Sequence, residues 1–335
     1  MTINRVRIVV PLSPPNMIKT PLIFQRVFLF ITWLRWHKPY PNDTKTTVNS
    51  VFYRRQTLNH MRLQAQNVAI LMATYQGERY LREQLLSIQA QSFSGWDLYV
   101  RDDGSADATP HILQEFAGQD GRIHILPGGE HKGAKRNFME LLAAVNAPYY
   151  MFCDQDDVWL PGKVERTLAE MQRVEQARPG LPVAVFADLY VVDEHLNILS
   201  PSFWEYSRIR PERTSFQELG VRCVATGCAM MINARAKSVA LPMPDAAKMH
   251  DVWITLAVAK HGGVLQPLRE PLIYYRQHSG NVIGAARETR WDVGKRLLSL
   301  GRVLKENRRQ YAMLQCLGYG SLVRYWYNKL IYILH

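Results

Sequence analysis

From residue 67 onward the chain alternates short apolar runs with amphipathic segments, and this alternation most strongly limits the folds available to it. Val68–Ala73 and Trp96–Val100 have the length of strands, and each ends in a polar turn. Glu78–Gln91 lies between them, with apolar residues at helical spacing. The pattern continues with predicted helices at Ala108–Phe116, Arg136–Val145 and Lys163–Val174, and predicted strands at Ile123–Leu126 and Tyr149–Cys153. Repeated strand–helix–strand units predict an α/β fold with a Rossmann-like, mostly parallel sheet and helices on both faces.

The second half of the chain is less regular. Val183–Val192 and Pro271–Tyr275 are predicted strands, and Asp251–His261 is a predicted helix. Val224–Ile232 is a single apolar run. Residues 200–222 are polar and aromatic without a clear period, which predicts a loop that shapes a pocket.

An acidic tetrapeptide, Asp-Gln-Asp-Asp at residues 154–157, directly follows the predicted strand Tyr149–Cys153. Three carboxylates at the end of a buried strand repel one another unless a cation lies between them. Oxygen ligands suit Mg²⁺ or Mn²⁺, and open α/β sheets bind ligands just outside the carboxyl ends of their strands. The alternative is an acidic, solvated turn that caps the next helix.

A second acidic pair, Asp102-Asp103, follows the strand Trp96–Val100. Neighbouring parallel strands would bring both acidic clusters to one edge of the sheet. One cluster could then accept hydrogen bonds from a base or ribose while the other holds a metal on a pyrophosphate. The alternative is an ordinary turn, since Asp-Gly-Ser is good turn chemistry. The first strand is not followed by G-x-G-x-x-G, and the chain has no G-x-x-x-x-G-K-[ST], so the dinucleotide-binding and P-loop classes lack their phosphate-binding loop.

Asp251 and His278 are further candidates. Asp251 precedes an apolar helix and could be its N-cap, or it could be a general base whose pKa is raised by burial. His278 follows a Tyr-Tyr strand. A loop histidine is usually solvated, but a neutral imidazole could complete a metal shell begun by Asp156.

The positive charge of the chain lies in its two ends. The net charge is +9 over residues 1–66, −3 over 67–290 and +6 over 291–335. Basic ends rich in aromatic and aliphatic residues suit an anionic membrane surface, and nucleic acid is the competing partner class. Residues 21–36 are too short for a confident membrane span, which leaves an interfacial helix or a translated leader before a start at Met61. The four cysteines form no C-x-x-C pair, which is ordinary cytosolic usage.

Seven short stretches together resemble family 2 glycosyltransferases, inverting enzymes of the GT-A fold, and most closely the bacterial rhamnosyltransferase-like branch. The stretches are ATYQGERYL (73–81), EQLLSI (83–88) with Gln91, RDDGS (101–105), DQDDVW (154–159), GC (227–228), HDVW (250–253) and YRQH (275–278) with Asn281. They follow the family order over about residues 67–285. The combination is specific, whereas no single motif is. Gln76 stands where the family often has Asn, and the family pattern does not require the basic segment 1–66.

The resemblance implies a role for each matching position. The residues expected to contact the nucleotide sugar are Thr74, Tyr75, Glu78, Asp102, Asp103, Arg136, Asn137 and Asp154. Asp156 would bind Mg²⁺ or Mn²⁺ on the pyrophosphate, with Asp154 and His278 as further ligands. Asp251 would be the general base.

The implied reaction is inverting transfer of a sugar, with rhamnose expected, from dTDP-rhamnose or a UDP-sugar to a saccharide or lipid-linked glycan acceptor. This chemistry belongs to bacterial surface polysaccharide synthesis. We expect a cytoplasmic enzyme, peripheral on the inner face of the membrane, with no nucleic-acid partner. The expected domains are a basic extension (1–66), a GT-A domain (67–285) and basic amphipathic helices (286–335).

Two other classes fit parts of the sequence. A nucleotidyltransferase on a similar sheet would need a Gly/Arg/Lys-rich loop after the first strand, and Thr74–Gly77 is not one. A non-enzymatic membrane- or nucleic-acid-binding protein would show no saturable binding of nucleotide sugars.

Overall fold

The computed structural model describes residues 68–278 and 300–334. Its first half is the predicted alternation of strands and helices. In chain order these are β1 (Val68–Thr74), α1 (Leu81–Gln89), β2 (Trp96–Asp102), α2 (Thr109–Gln119), β3 (Ile123–Leu126), α3 (Ala134–Ala144) and β4 (Tyr149–Cys153). The strands lie in the order β3-β2-β1-β4 and all three pairings are parallel, which confirms the α/β prediction.

The second half extends the same sheet with mixed pairings. Its elements are β5 (Val158–Trp159), α4 (Lys163–Ala177), β6 (Val183–Val192), β7 (Ile198–Ser200), α5 (Phe203–Tyr206), α6 (Phe216–Leu219), β8 (Met230–Asn233), α7 (Ala234–Ala240), α8 (His250–Lys260) and β9 (Val264–Arg276). The sheet continues as β4-β8-β6-β9-β5, with β7 on β6. The β8 strand runs antiparallel to both β4 and β6, whereas β6 and β9 are parallel. The sheet is therefore parallel on one side of β4 and mixed on the other.

Three sequence-based boundaries in the second half differ from the structure. Residues 200–222 contain the short helices α5 and α6, both capped by serines, Ser202 and Ser215. The run Val224–Ile232 is not one strand, because a 3₁₀ turn at Gly227–Ala229 precedes β8. The predicted strand Pro271–Tyr275 is only the end of β9, whose register against β6 shifts before Pro271. Proline cannot donate to a ladder, so sequence patterning alone underestimated this strand.

The sheet is buried on both faces. In β1, Val68, Ile70 and Met72 belong to the core that includes residues of α1, α2 and α4. The alternate residues Ala69 and Leu71 belong to the core that includes residues of α3 and α8. This pattern is typical of a strand covered by helices on both sides.

Two C-terminal helices, α9 (Leu300–Gln315) and α10 (Leu322–Leu334), complete the described structure. They fall within the range for which the sequence predicts amphipathic helices. Met313, Leu314 and Tyr325 are fully buried in the core on the α3–α8 side, so these helices pack against that face of the sheet structure. None of the helices in the described ranges combines the length and apolar composition needed to cross a membrane. The sequence-based expectations for residues 1–67 and for Asn281 lie outside the described residues.

Candidate active site

Three parallel strands end at one edge of the sheet and carry most of the candidate residues. Thr74, the last residue of β1, is aligned with Asp102 at the end of β2. On the other side of β1, Met72 is aligned with Cys153, after which the acidic tetrapeptide begins. The two acidic clusters therefore share an edge as predicted, with β1 between them rather than as direct neighbours.

Asp102 ties the ends of β1 and β2 together. Its Oδ1 accepts hydrogen bonds from Thr74 Oγ1 at 2.8 Å and Ser105 Oγ at 2.7 Å. Its Oδ2 accepts from the backbone N–H of Ser105 at 2.8 Å and of Gly104 at 3.2 Å. The alternative that Asp-Gly-Ser forms an ordinary turn therefore agrees with the structure, because both carboxylate oxygens of Asp102 accept hydrogen bonds from the turn residues.

Asp103 is buried and organises the loop before α3. Its Oδ1 accepts from the backbone N–H of Lys132 at 2.8 Å, and its Oδ2 accepts from the N–H of Gly133 at 2.7 Å. His131 Nδ1 lies 2.9 Å from the same Oδ2. The His131 ring then stacks on the half-exposed Tyr75 ring, with centroids 4.3 Å apart. His131 has no signal in the sequence, because only the long-range contact with Asp103 brings it to the rim.

Gln155, inside the acidic tetrapeptide, fixes the loop that carries Tyr75. Its Oε1 accepts from the Tyr75 N–H and its Nε2 donates to the Tyr75 carbonyl, both at 2.8 Å. A Cβ at Gly77 would lie 2.4 Å from Gln155 Oε1, so a larger residue there would displace the Gln155 side chain from its contacts with Tyr75. Glu78, which was predicted to contact the nucleotide sugar, accepts a hydrogen bond from the Ala108 N–H at the start of α2.

Arg136 and Asn137 lie on α3 in different environments. Arg136 is exposed and pairs with Asp245 at 3.0 Å. Asn137 is buried, and its Oδ1 accepts from the guanidinium of Arg101. Arg101 in turn lies 3.9 Å from Asp103. Asn137 therefore contacts Arg101 inside the protein, beneath the edge of the sheet that carries Asp103, whereas Arg136 lies on the surface.

Asp156 and His278 are brought together across the sheet. Their Oδ2 and Nε2 atoms are 2.9 Å apart. The contact follows from the antiparallel pairing of β5 with β9, which aligns Val158 with Tyr274 and so brings the end of β9 beside the tetrapeptide. From the sequence, Asp156 and His278 were connected only by the prediction that both bind the same metal ion.

Arg276 holds the acidic tetrapeptide in place. Its backbone N–H donates to Asp157 Oδ1 at 3.2 Å, and its Nε donates to the Asp156 carbonyl at 2.9 Å. The guanidinium lies 4.5 Å from the centre of the Tyr80 ring and also pairs with Glu83. This side chain is almost fully buried, so its charge faces the backbone and side chains of the motif rather than water. Sequence reasoning gave Arg276 no role.

A second group of ligand atoms lies behind Asp156. A carboxylate oxygen of Asp154, one of Asp157 and Sγ of Cys228 all lie within 4.8 Å of one another. Burial, then repulsion from Asp156 and Asp251, raises the pKa of Asp154 to about 7. Burial and the same crowding with Asp156 and Asp154 raise the pKa of Asp157 well above its usual range.

A divalent cation would relieve this crowding, because it favours the charged form of every nearby carboxylate. The carboxylates and imidazole at this rim are ligands that Mg²⁺ and Mn²⁺ accept. The residue types present therefore fit the predicted metal. Of the predicted ligands, Asp156 and His278 are in contact, and Asp154 lies instead in the group with Asp157 and Cys228.

Asp251 lies opposite the tetrapeptide, in the first turn of α8. Its Oδ1 accepts from the Val252 N–H at 2.7 Å and its Oδ2 from the Gly227 N–H at 3.2 Å. The N-cap of α8 is Met249, so the N-cap reading of Asp251 is wrong. The carboxylate is partly buried, and its effect on the pKa of Asp154 shows that the two groups interact.

His250, next to Asp251, is buried rather than part of the open site. Its ring packs between Phe138 and Phe152, with centroids 4.3 and 4.9 Å away. Burial lowers its pKa, which favours the neutral ring. A Cβ at Gly227 would lie 2.6 Å from His250 Nε2, so glycine lets the 3₁₀ turn approach α8 closely. The two short motifs Gly227-Cys228 and His250-Asp251 are therefore one packed unit.

Comparison with known proteins agrees with this fold. The model of glycosyl transferase family 2 matches residues 69–237, half of the chain. The chain belongs to this family, and it is a glycosyltransferase. It is 24% identical over 230 residues to TuaG of Bacillus subtilis, named as a teichuronic acid biosynthesis glycosyltransferase, covering 68% of this chain and 84% of that protein. It is 27% identical over 227 residues to the dTDP-rhamnosyl transferase RfbG of Shigella flexneri, covering 64% and 74%.

Among solved structures, the chain is similar to S. aureus TarS residues 1–349 in complex with UDP. The TM-score is 0.50 at 14% identity, and the match covers 63% of this chain and 61% of that one. This likeness shows the fold, which is the GT-A fold expected from the sequence.

Proposed function

We propose that this protein transfers a sugar from a nucleoside diphosphate sugar to an acceptor hydroxyl with inversion, using Asp251 as the general base. The observation that carries the proposal is the contact of Asp251 with the Gly227 N–H, because the next residue, Cys228, has its Sγ within 4.8 Å of carboxylate oxygens of Asp154 and Asp157. A base on one side and an anion-binding group on the other suit direct displacement. A covalent nucleophile is then unnecessary.

The leaving nucleoside diphosphate would be held at the tetrapeptide side. Asp156 and His278, already in contact, and Asp154 would hold Mg²⁺ or Mn²⁺, which supplies neutralisation of the charge that builds on the diphosphate. Arg276 fixes the backbone of Asp156, so it would position this group without touching the donor.

The nucleoside would bind at the end of β1. The Tyr75 ring is 44% exposed and supported from one side by His131, which leaves an aromatic surface for a base to stack on. Thr74 and Asp102 stand beneath this surface and Asp103 holds the loop that carries His131. In this proposal Asp103 and Asn137 act by positioning, and Glu78 and Arg136 line the outer border.

The expected donor is dTDP-rhamnose, with a UDP-sugar as the other choice. Similarity to a protein named as a dTDP-rhamnosyl transferase supports rhamnose. The acceptor would be a saccharide or lipid-linked glycan in bacterial surface polysaccharide synthesis, in keeping with a relative named for teichuronic acid synthesis. A lipid-linked acceptor and the basic ends of the chain would both suit an enzyme on the inner face of the cytoplasmic membrane.

A donor panel tests this proposal. Purified protein is titrated with dTDP-rhamnose, UDP-glucose, UDP-N-acetylglucosamine and GDP-mannose, with and without Mn²⁺, and thermal stabilisation is recorded. The donor that stabilises most is then supplied with lipid-linked acceptors, and the anomeric configuration of the product is read by NMR. We expect dTDP-rhamnose to stabilise most and the product to be inverted. A product that retains the donor configuration would contradict the role of Asp251.

A further inference from the structure

The helix α10 has an unusual surface for the outside of a folded domain. Its large apolar side chains point to solvent on one face, and we call this set the α10 apolar face: Leu322, Val323, Trp326, Tyr327, Leu330 and Ile331. Val323 is 79% exposed and Tyr327 is 62% exposed. Val323, Trp326, Tyr327 and Leu330 recur at the three- and four-residue spacing of one helix stripe. A contiguous exposed patch of this kind marks an interaction surface.

The opposite face of α10 is fastened to the body of the protein. Tyr325 is fully buried, and its hydroxyl donates to Asn307 on α9 at 2.8 Å. The Tyr332 ring lies 4.7 Å from the guanidinium of Arg213. Tyr319, just before the helix, donates to the Gln217 carbonyl at 2.7 Å. The apolar face therefore cannot turn inward without breaking these contacts, and its burial requires something other than the residues that the structure describes.

The positive charge around the α10 apolar face indicates what kind of surface the face binds. Residues 300–334 contain six Lys or Arg and one acid, Glu306. Four of the basic residues are exposed, and these are Lys305, Arg308, Arg309 and Arg324. A second copy of the same surface would bring like charges together, whereas an anionic lipid surface offers both apolar depth and negative charge. Trp and Tyr at the border of apolar and basic groups are typical of the membrane interface.

We propose that the α10 apolar face docks the protein on an anionic lipid bilayer. This inference rests on the proposed function, because it names the surface by which the enzyme would bind the membrane. The α9–α10 pair also fixes which side of the enzyme meets the lipid. Gln310 on α9 accepts from Lys248 Nζ at 3.0 Å and donates to the Gly220 carbonyl at 2.7 Å. Lys248 is three residues before Asp251, so the α9–α10 pair contacts the segment that leads into α8.

Vesicle binding tests this surface directly. The full chain is sedimented with vesicles of phosphatidylglycerol and phosphatidylcholine, or of phosphatidylcholine alone. The variant Val323→Ser/Tyr327→Ser/Leu330→Ser should bind the anionic vesicles at least tenfold more weakly, because three interfacial side chains are lost. The matched control, Leu86→Ser/Ile198→Ser/Leu199→Ser, removes three other exposed apolar residues elsewhere on the surface and should bind like the unaltered protein. The variant Arg308→Gln/Arg309→Gln should bind the anionic vesicles about fivefold more weakly for each charge removed. High salt should also weaken the binding of the unaltered protein to these vesicles.

Several outcomes would overturn the proposal. Equal binding by the apolar triple variant is one, and equal binding to vesicles of phosphatidylcholine alone is another. A third is that light scattering shows a dimer that the triple variant converts to a monomer, with no vesicle binding. Thermal melting and stabilisation by the nucleotide sugar are measured on each variant. A variant that binds donor normally but not lipid separates this surface from the transferase site, and loss of donor binding with normal lipid binding would count against the transferase proposal alone.

Discussion

The two acidic clusters at the edge of the sheet contain the same residue type and follow parallel strands, but their surroundings differ. Both carboxylates of the Asp102-Asp103 pair accept hydrogen bonds on each oxygen, from loops that follow β2 and precede α3. In the tetrapeptide, Asp154 and Asp157 are instead crowded against each other and against Asp156, and their pKa values rise. Hydrogen bonds from backbone N–H groups hold the Asp102-Asp103 pair in the fold. The tetrapeptide has few such donors, so its carboxylates are better suited to binding a cation.

The largest expected effect comes from Asp156→Ala. We expect this change to abolish transfer and the metal-dependent part of nucleoside diphosphate binding, because the diphosphate would lose its counter-ion. Calorimetric titration of the nucleoside diphosphate with and without Mn²⁺ measures the binding. Glu205→Ala, at an exposed carboxylate outside the proposed site, is the control. Full activity in excess EDTA would rule out the metal role.

Asp251→Asn tests the other side of the site. Asn keeps the shape of the side chain but cannot take a proton. Its single oxygen can still accept from the Val252 N–H, and the hydrogen bond that is given up is the longer one, from the Gly227 N–H at 3.2 Å. We expect kcat to fall by about 10²–10⁴-fold, the usual contribution of a general base. Donor affinity and the melting temperature should stay close to those of the unaltered protein. Near-normal turnover would show that the base lies elsewhere, and Asp157 would be the next candidate.

Asp103→Asn tests the claim that the first cluster builds the fold. An amide can accept on only one atom, so one of the N–H groups of Lys132 and Gly133 would face an NH₂ group. We expect the free energy of unfolding to fall by about 1–3 kcal/mol, with a weaker Tyr75–His131 contact and lower nucleotide affinity. Urea unfolding measures the first effect and donor titration the second. Glu130→Gln, at an exposed acid of the same loop, should change neither, and unaltered stability in Asp103→Asn would contradict the comparison.

The smallest effect is a pH dependence of stability in the metal-free protein. The folded pKa of Asp154, about 7, lies above the ordinary value of 3.8. Between these values the folded state binds more protons than the unfolded state, so stability is greatest at low pH and falls as pH rises through 7. We expect a lower melting temperature at pH 8 than at pH 5, and Mn²⁺ should reverse this difference by binding the charged form. The dependence should flatten in Asp154→Asn. A melting temperature that rises between pH 5 and pH 8 without metal would contradict the assignment.

The regular part of the fold was readable from local pattern. The strands from Val68 to Cys153 are apolar runs separated by helices, and each was found within a few residues of its predicted position. The irregular part was not readable in this way. The register shift in β9 depends on pairing with β6, and the 3₁₀ turn at Gly227–Ala229 depends on packing against His250. Neither feature produces a periodic pattern in the sequence.

The sequence by itself determined the alternation of strands and helices, the position of the acidic residues after the strands, and the basic, aromatic C-terminal segment. These are local properties, since hydrophobic period and residue type are properties of neighbours along the chain. Only the tertiary structure decided which carboxylates are saturated by backbone donors and which are crowded together. It likewise decided that Asp156 meets His278, that Arg276 clamps the tetrapeptide, and which face of α10 points outward. Each of these depends on atoms separated by many residues in the chain, and contacts at such distances are set by sheet order and packing, which local pattern does not encode.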